Sequence, residues 1–91
     1  MTQTLKIIVK GKVQGVTYRE TTRRKAVTLG LSGTVENLEN GDVMIVATGD
    51  ADTLESFVRW CYKGPQLASV SEVIPTEIQL QRFTGFSIKR K

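Results

Sequence analysis

Leu5, Ile7 and Val9 alternate with more polar neighbours, a period of two that predicts a strand over residues 5–10. Beyond a polar, glycine-bearing stretch the period lengthens. Tyr18, Thr22, Ala26 and Leu29 recur at helical spacing and make one buried stripe, which Gly30 ends. Residues 32–38 alternate again, and Asn40-Gly41 predicts a tight two-residue hairpin turn with positive φ at both central positions. Its partner strand, 42–48, sets Val43, Ile45 and Ala47 on one face and Met44 and Val46 on the other. Asp50 or Asp52 caps a second helix with Leu54, Phe57, Val58 and Cys61 at i, i+3, i+4 and i+7, and Lys63-Gly64-Pro65 stops it. Strands are predicted over 68–74, with Pro75 at an edge or strand end, and over 86–90. No element is predicted across 76–85.

Strand, helix, strand, strand, helix, strand and a last strand is the order of an α+β, ferredoxin-like split β-α-β sandwich. Two helices pack on one face of a largely antiparallel sheet of four to five strands. Right-handed crossovers run the first and second strands parallel with the third between them. The C-terminal ends of the first two strands then share one end of the sheet, which brings Asn37 to the side of the loop that follows residue 10.

Composition narrows the chemistry. The 91 residues read as a single domain, 1–91, and 40% hydrophobic with 24% charged side chains is globular composition. The longest apolar runs are too short for a membrane span, and the N-terminus lacks a secretory block, so the chain reads as cytoplasmic, without a membrane partner. Cys61 is the single cysteine and reads as a small core residue rather than a reactive thiol. There is no histidine, which excludes histidine-dependent nucleophiles and metal centres. The net charge of +4 gathers at Arg23-Arg24-Lys25 and Lys89-Arg90-Lys91. These read as a solvated helix face and a basic end rather than a nucleic-acid surface, and the positive field favours arrival of a small anion. Residues 5–10 and 42–48 also lack the stacking aromatics of an RNA-recognition domain.

The loop Gly11-Lys12-Val13-Gln14-Gly15-Val16-Thr17-Tyr18-Arg19 joins the first strand to the first helix. Strand, glycine-bearing loop and helix start form the order that builds a phosphate site, since the glycines let successive amides turn toward one point and the helix adds its orphan donors. Arg19, in the first turn, supplies a planar fork for two anion oxygens. Thr17-Tyr18-Arg19-Glu20 fits a capping box, in which Glu20 would compete with a bound anion; it is expected to turn to solvent or to move when an anion binds. Spacing alone leaves the loop open between anion cradle and ordinary punctuation.

The stretch from Val9 to Arg19 resembles the first signature of the acylphosphatase family, with Tyr18 where phenylalanine is usual. Gly33-Thr34-Val35-Glu36-Asn37-Leu38-Glu39-Asn40-Gly41-Asp42-Val43, followed by Gly49, resembles the second signature at the right spacing. Leu29-Gly30-Leu31, Gly64-Pro65 and 86–90 extend the likeness over nearly the whole chain. Thr34 stands where an aromatic is common, and Glu36 where a basic or neutral residue is common. The resemblance implies the same fold and a metal-independent hydrolase acting on acyl phosphates, with Arg19 as the phosphate-binding arginine and Asn37 as the water-orienting asparagine.

The residues suit that chemistry. Amides of Gln14, Gly15, Val16, Thr17, Tyr18 and Arg19, with the Arg19 side chain, would stabilise charge on a phosphoryl group, while Asn37 orients a water for in-line attack. Asn37 is a poor base, and by itself it reads rather as a hairpin residue chosen for local hydrogen bonding, a reading that the resemblance reverses. A carboxylate leaving from a mixed anhydride needs no protonation, whereas an alkoxide leaving from an ester calls for a general acid. The expected substrate is a small anionic acyl phosphate. Inorganic phosphate is expected as product and competitive inhibitor, no cofactor is implied, and a monomer is expected. The alternative is a non-catalytic phosphate- or anion-binding module of the same fold. A third possibility is a domain for carbamoyl-phosphate handling inside a larger enzyme.

Overall fold

The computed structural model describes residues 1–90; Lys91, in the basic end, lies outside the described residues. The elements are β1 (Thr2–Lys12), α1 (Tyr18–Thr28), β2 (Ser32–Asn37), β3 (Val43–Asp50), α2 (Ala51–Lys63), β4 (Ser69–Ile78) and β5 (Phe86–Lys89). They form one five-stranded sheet in the order β4-β1-β3-β2-β5. Every neighbouring pair is antiparallel except β2 and β5, which run parallel. This is the ferredoxin-like α+β sandwich that the order of elements implies.

Alternation decides which sheet face is covered. Ile7, Val9, Val35, Val43, Ile45 and Ala47 are wholly buried. Onto them α1 packs along β2 and β5, α2 packs along β4, β3 and β1, and the helices touch each other. Leu54, Phe57 and Cys61 are the buried stripe of α2, with Val58 half-buried beside them. Tyr18, Thr22 and Ala26 are that of α1; Leu29 falls just past its end and is half-buried. Among the described residues no helix is long and apolar enough to cross a membrane.

Three local features differ from the sequence reading. The β2–β3 connection is not a two-residue turn, since Asn40 keeps negative φ and only Gly41 is positive, at 96°. The Leu38 amide donates to the Asp42 carbonyl at 2.8 Å and the Gly41 amide to the Leu38 carbonyl at 3.2 Å, so Glu39, Asn40 and Gly41 form a three-residue loop. Asn40 spends its side chain inside that loop, accepting from the Asp42 amide at 3.0 Å. Secondly, β4 runs through Pro75 to Ile78, and Pro75 stands opposite Ile7. Its missing N–H is tolerated because β4 is an edge strand. Thirdly, β1 continues past residue 10 through a register shift at Lys10/Gly11. A Cβ on Gly11, whose φ is +122°, would run into the Ser69 carbonyl oxygen, so only glycine fits that step. The shift turns the chain toward the loop that begins at Val13.

Candidate active site

The loop after β1 is pinned at its apolar positions and left open at its amides. Val13 and Val16 are buried at 1% and 7% exposure and anchor it in the core. Thr17 precedes α1 in the left-handed region, φ 60° and ψ 20°, and is the one non-glycine among the described residues with positive φ. The capping box does not form. The Thr17 hydroxyl donates back to the Val16 carbonyl at 2.6 Å and makes no capping bond, and Glu20 turns away from it. The first helical bond runs from the Thr21 amide to the Thr17 carbonyl at 3.0 Å, so the amides of Tyr18, Arg19 and Glu20 are orphan donors of the helix start. Among the described residues the amides of Gly15, Val16 and Thr17 also find no acceptor.

These donors stand beside a cavity of about 150 Å³, into whose wall Gly15, Thr17, Tyr18 and Arg19 come from the loop and Asn37 from the end of β2. Thus the arginine and the asparagine singled out from the sequence do face one space. Among the described residues Arg19 has no carboxylate partner. The Asn37 carbonyl oxygen Oδ1 is buried and accepts no hydrogen bond from any described residue. A free guanidinium, a set of free amides and an unpaired acceptor together suit an anion and a water held side by side.

Two of the anticipated loop residues do not line the cavity with their side chains. Val16 points into the core, and Gln14 turns to the β2–β3 loop, donating from Nε2 to the Leu38 and Asp42 carbonyls, each at 2.8 Å. Only their backbone amides remain available to a ligand.

The wall also holds Val13, from the loop read as the cradle, and Glu20, which the sequence set beside the anion; the sequence reading missed Ile88 and Arg90. Glu20 is drawn off by its own helix. It accepts from Arg23 at 2.7 Å and Arg24 at 3.3 Å, and the Arg23 hydrogen bond first of all holds its carboxyl below the usual range. Ile88 and Arg90 arrive through the parallel pairing of β5 with β2, in which Val35 stands opposite Ile88 and Glu36 opposite Lys89. Continuing that register brings Arg90 beside Asn37. The signal lay in the alternation of 86–90, but its partner strand was not legible without the sheet order.

A second, adjoining cavity of about 260 Å³ shares Arg19 and Asn37 and is otherwise lined by Glu36, Leu38, Glu39 and Lys89. Glu36, next to Asn37 in an alternating strand, is set on the other face and lies 4.0 Å from the Lys89 ammonium.

The core behind the site is aromatic and closed. The Tyr18 hydroxyl donates to the Cys61 carbonyl at 2.8 Å, and the Tyr18 ring lies 6.1 Å from that of Trp60. Cys61 is a core residue whose thiol burial pushes up to about 12, which removes it from the site's chemistry.

Fold and site together define a small α+β domain whose cavity sets orphan amides and an arginine beside an asparagine. The chain matches the family model described as Acylphosphatase over residues 5–88. It is 44% identical over 85 residues to an acylphosphatase of Methylococcus capsulatus (strain Bath), covering 92% of each chain. It is 48% identical over 81 residues to one of Marinobacter nauticus, covering 88% of each. The structure of an acylphosphatase from Coxiella burnetii superposes with a TM-score of 0.94 at 40% identity, covering 97% of this chain and 93% of that one. The chain belongs to the acylphosphatase family, and its reaction is hydrolysis of acyl phosphates to carboxylate and inorganic phosphate.

Proposed function

We propose that Arg19 and the backbone amides of residues 14–19 hold the phosphoryl group while Asn37 orients the attacking water. The observation that carries this is that Asn37, whose buried Oδ1 finds no partner among the described residues, lines the same cavity as Arg19 and the orphan amides. A carbonyl oxygen accepts from one O–H of a water and aims its lone pair at phosphorus. Displacement in line then needs charge stabilisation on the equatorial oxygens, which the arginine fork and the amides supply. The departing carboxylate takes no proton, so no side chain is required to act as an acid. Val13, Ile88 and the aromatic core supply a low-dielectric wall against which these contacts strengthen.

In the same reading residues 1–91 form one catalytic domain, active as a monomer in the cytoplasm, and inorganic phosphate competes with substrate. Support comes from the family model's span of residues 5–88 and from a site complete within one chain. The test is hydrolysis of acetyl or benzoyl phosphate, in the presence of a chelator, by the wild type and by folded Arg19→Ala and Asn37→Ala proteins. Turnover by the wild type and its loss in both variants, with phosphate binding better kept in Asn37→Ala, is the expected pattern. Full activity of Asn37→Ala would overturn its role. A folded wild type that binds phosphate without turnover would point instead to a binding module.

A further inference from the structure

Gln14 sits on the loop, yet its side chain does not face the cavity. Both hydrogens of its amide are used on the β2–β3 loop, one on the Leu38 carbonyl and one on the Asp42 carbonyl, each at 2.8 Å. Those two residues are the paired ends of the three-residue turn, joined by the Leu38 amide to the same Asp42 carbonyl at 2.8 Å. Asn37 is the residue immediately before Leu38, the last of β2 to pair with β3, opposite Val43. Asp42 is itself held from the other side by Lys10 at 2.8 Å. One amide therefore spans from the cradle to the strand end that presents Asn37.

We infer that Gln14 is the positioning residue that sets Asn37 against the cradle: a two-pronged clamp acting on the water-orienting side chain and not on the phosphoryl group. This rests on the roles proposed above for Arg19 and Asn37. The asymmetry follows from what else holds each part. The cradle keeps its own anchors without Gln14, in buried Val13 and Val16 and in the Tyr18 hydroxyl bond to the Cys61 carbonyl. Among the described residues, Leu38 and Asp42, the two that Gln14 grips, are otherwise held by the turn bonds and the Lys10–Asp42 pair. Removing the clamp lets the tip drift relative to the cradle, and a displacement of about 1 Å at a reacting group can cost as much as a hundredfold in rate. Anion affinity, set by Arg19 and the loop amides, stays.

The experiment compares Gln14→Met, of similar length and without donors, and Gln14→Glu with the wild type, using acetyl phosphate turnover and inhibition by inorganic phosphate. For Gln14→Met, kcat should fall by about tenfold or more while the phosphate inhibition constant stays within about twofold. Gln14→Glu should be impaired at neutral pH, where a carboxylate faces two carbonyl oxygens. It should recover relative to the wild type below about pH 5, where a neutral carboxyl regains one donor. In a nitrogen-correlated NMR spectrum of Gln14→Met the Asn37 side-chain amide should shift while that of Arg19 Nε holds. An unchanged kcat, or kcat and phosphate affinity falling together, would overturn the clamp while leaving the wild-type reaction intact. If Gln14→Met does not fold, the pH recovery of Gln14→Glu decides, and a flat relative profile counts against it. A wild type that turns over no acyl phosphate defeats the mechanism itself, a separately visible outcome.

Discussion

The Tyr18 hydroxyl donates to the Cys61 carbonyl at 2.8 Å, so the first turn of α1, which carries Arg19, is tied to the last turn of α2. The bond lies in the core, where Tyr18 is 1% exposed, and it satisfies a carbonyl that the end of a helix would otherwise leave unpaired. Tyr18→Phe removes the donor and keeps the ring. The expected loss is about 1–2 kcal/mol of stability, with turnover little changed because Val13 and Val16 still hold the loop. Urea denaturation followed by Trp60 fluorescence measures the first, and an acetyl phosphate assay the second. A large loss of turnover at unchanged stability would contradict the division drawn between anchor and site.

Glu20 lines the same cavity as Arg19, and its charge opposes an anion there even though Arg23 and Arg24 share it. A unit charge roughly 6 Å away in a water-like medium is worth about 0.7 kcal/mol. Glu20→Gln should therefore lower KM for acyl phosphate by up to about threefold at low ionic strength. The gain should vanish in concentrated salt, where the Debye length shrinks to a few ångströms. A KM that stays put at low salt would place the bound anion farther from Glu20 than the shared wall implies.

Thr17 holds a left-handed conformation at φ 60°, a strained position for a β-branched residue. Asparagine enters that region more readily, because its short polar side chain can hydrogen-bond locally. Thr17→Asn should raise stability by about 1 kcal/mol, read as a higher urea midpoint, with the loop amides still free for substrate. A fall in stability would mean that the bond from the Thr17 hydroxyl to the Val16 carbonyl outweighs the backbone strain.

Burial raises the Cys61 thiol from about 9.0 unfolded to about 12 folded. Since the folded pKa is the higher one, the contribution to stability is whole below pH 9 and drains away as pH climbs toward 12. Tyr18, raised by burial too, adds a loss of the same sign at alkaline pH. Melting temperature should fall steeply above pH 9, and Cys61→Ala should be less stable at neutral pH but show a shallower alkaline slope. In the wild type, a thiol reagent should modify Cys61 only at the rate of global opening. Rapid labelling under native conditions would show that the thiol is not closed off in the core.

Much of the site was legible because its parts are local. The Arg19 loop and Asn37 could be picked out from short stretches, and the parallel run of β1 and β2 already implied that the two lie at one end of the sheet. What local pattern could not reveal is where side chains are spent. Gln14 looks like a loop residue beside a phosphate site, and only the folded chain shows its amide given to two carbonyls of another loop. Thr17 and Glu20 have the spacing of a capping box, yet the left-handed turn at Thr17 and the arginines one helical turn on remove both partners. The Asn40-Gly41 pair marks a turn correctly, but Asn40 bonds to the Asp42 amide and opens the loop by a residue.

Periodicity determined the kind and order of the elements, their buried stripes and the class of fold, though not how far β1 and β4 extend, because burial of an alternating or helical stripe is a property of each segment read by itself. Tertiary structure decided the pairing of β5 with β2, which brings Ile88 and Arg90 to the wall, and the placement of Asn37, its Oδ1 without a partner among the described residues, on the cavity it shares with Arg19. Those depend on contacts between residues far apart in the chain, where hydrogen-bond partners are chosen by proximity in space and leave no period in the sequence.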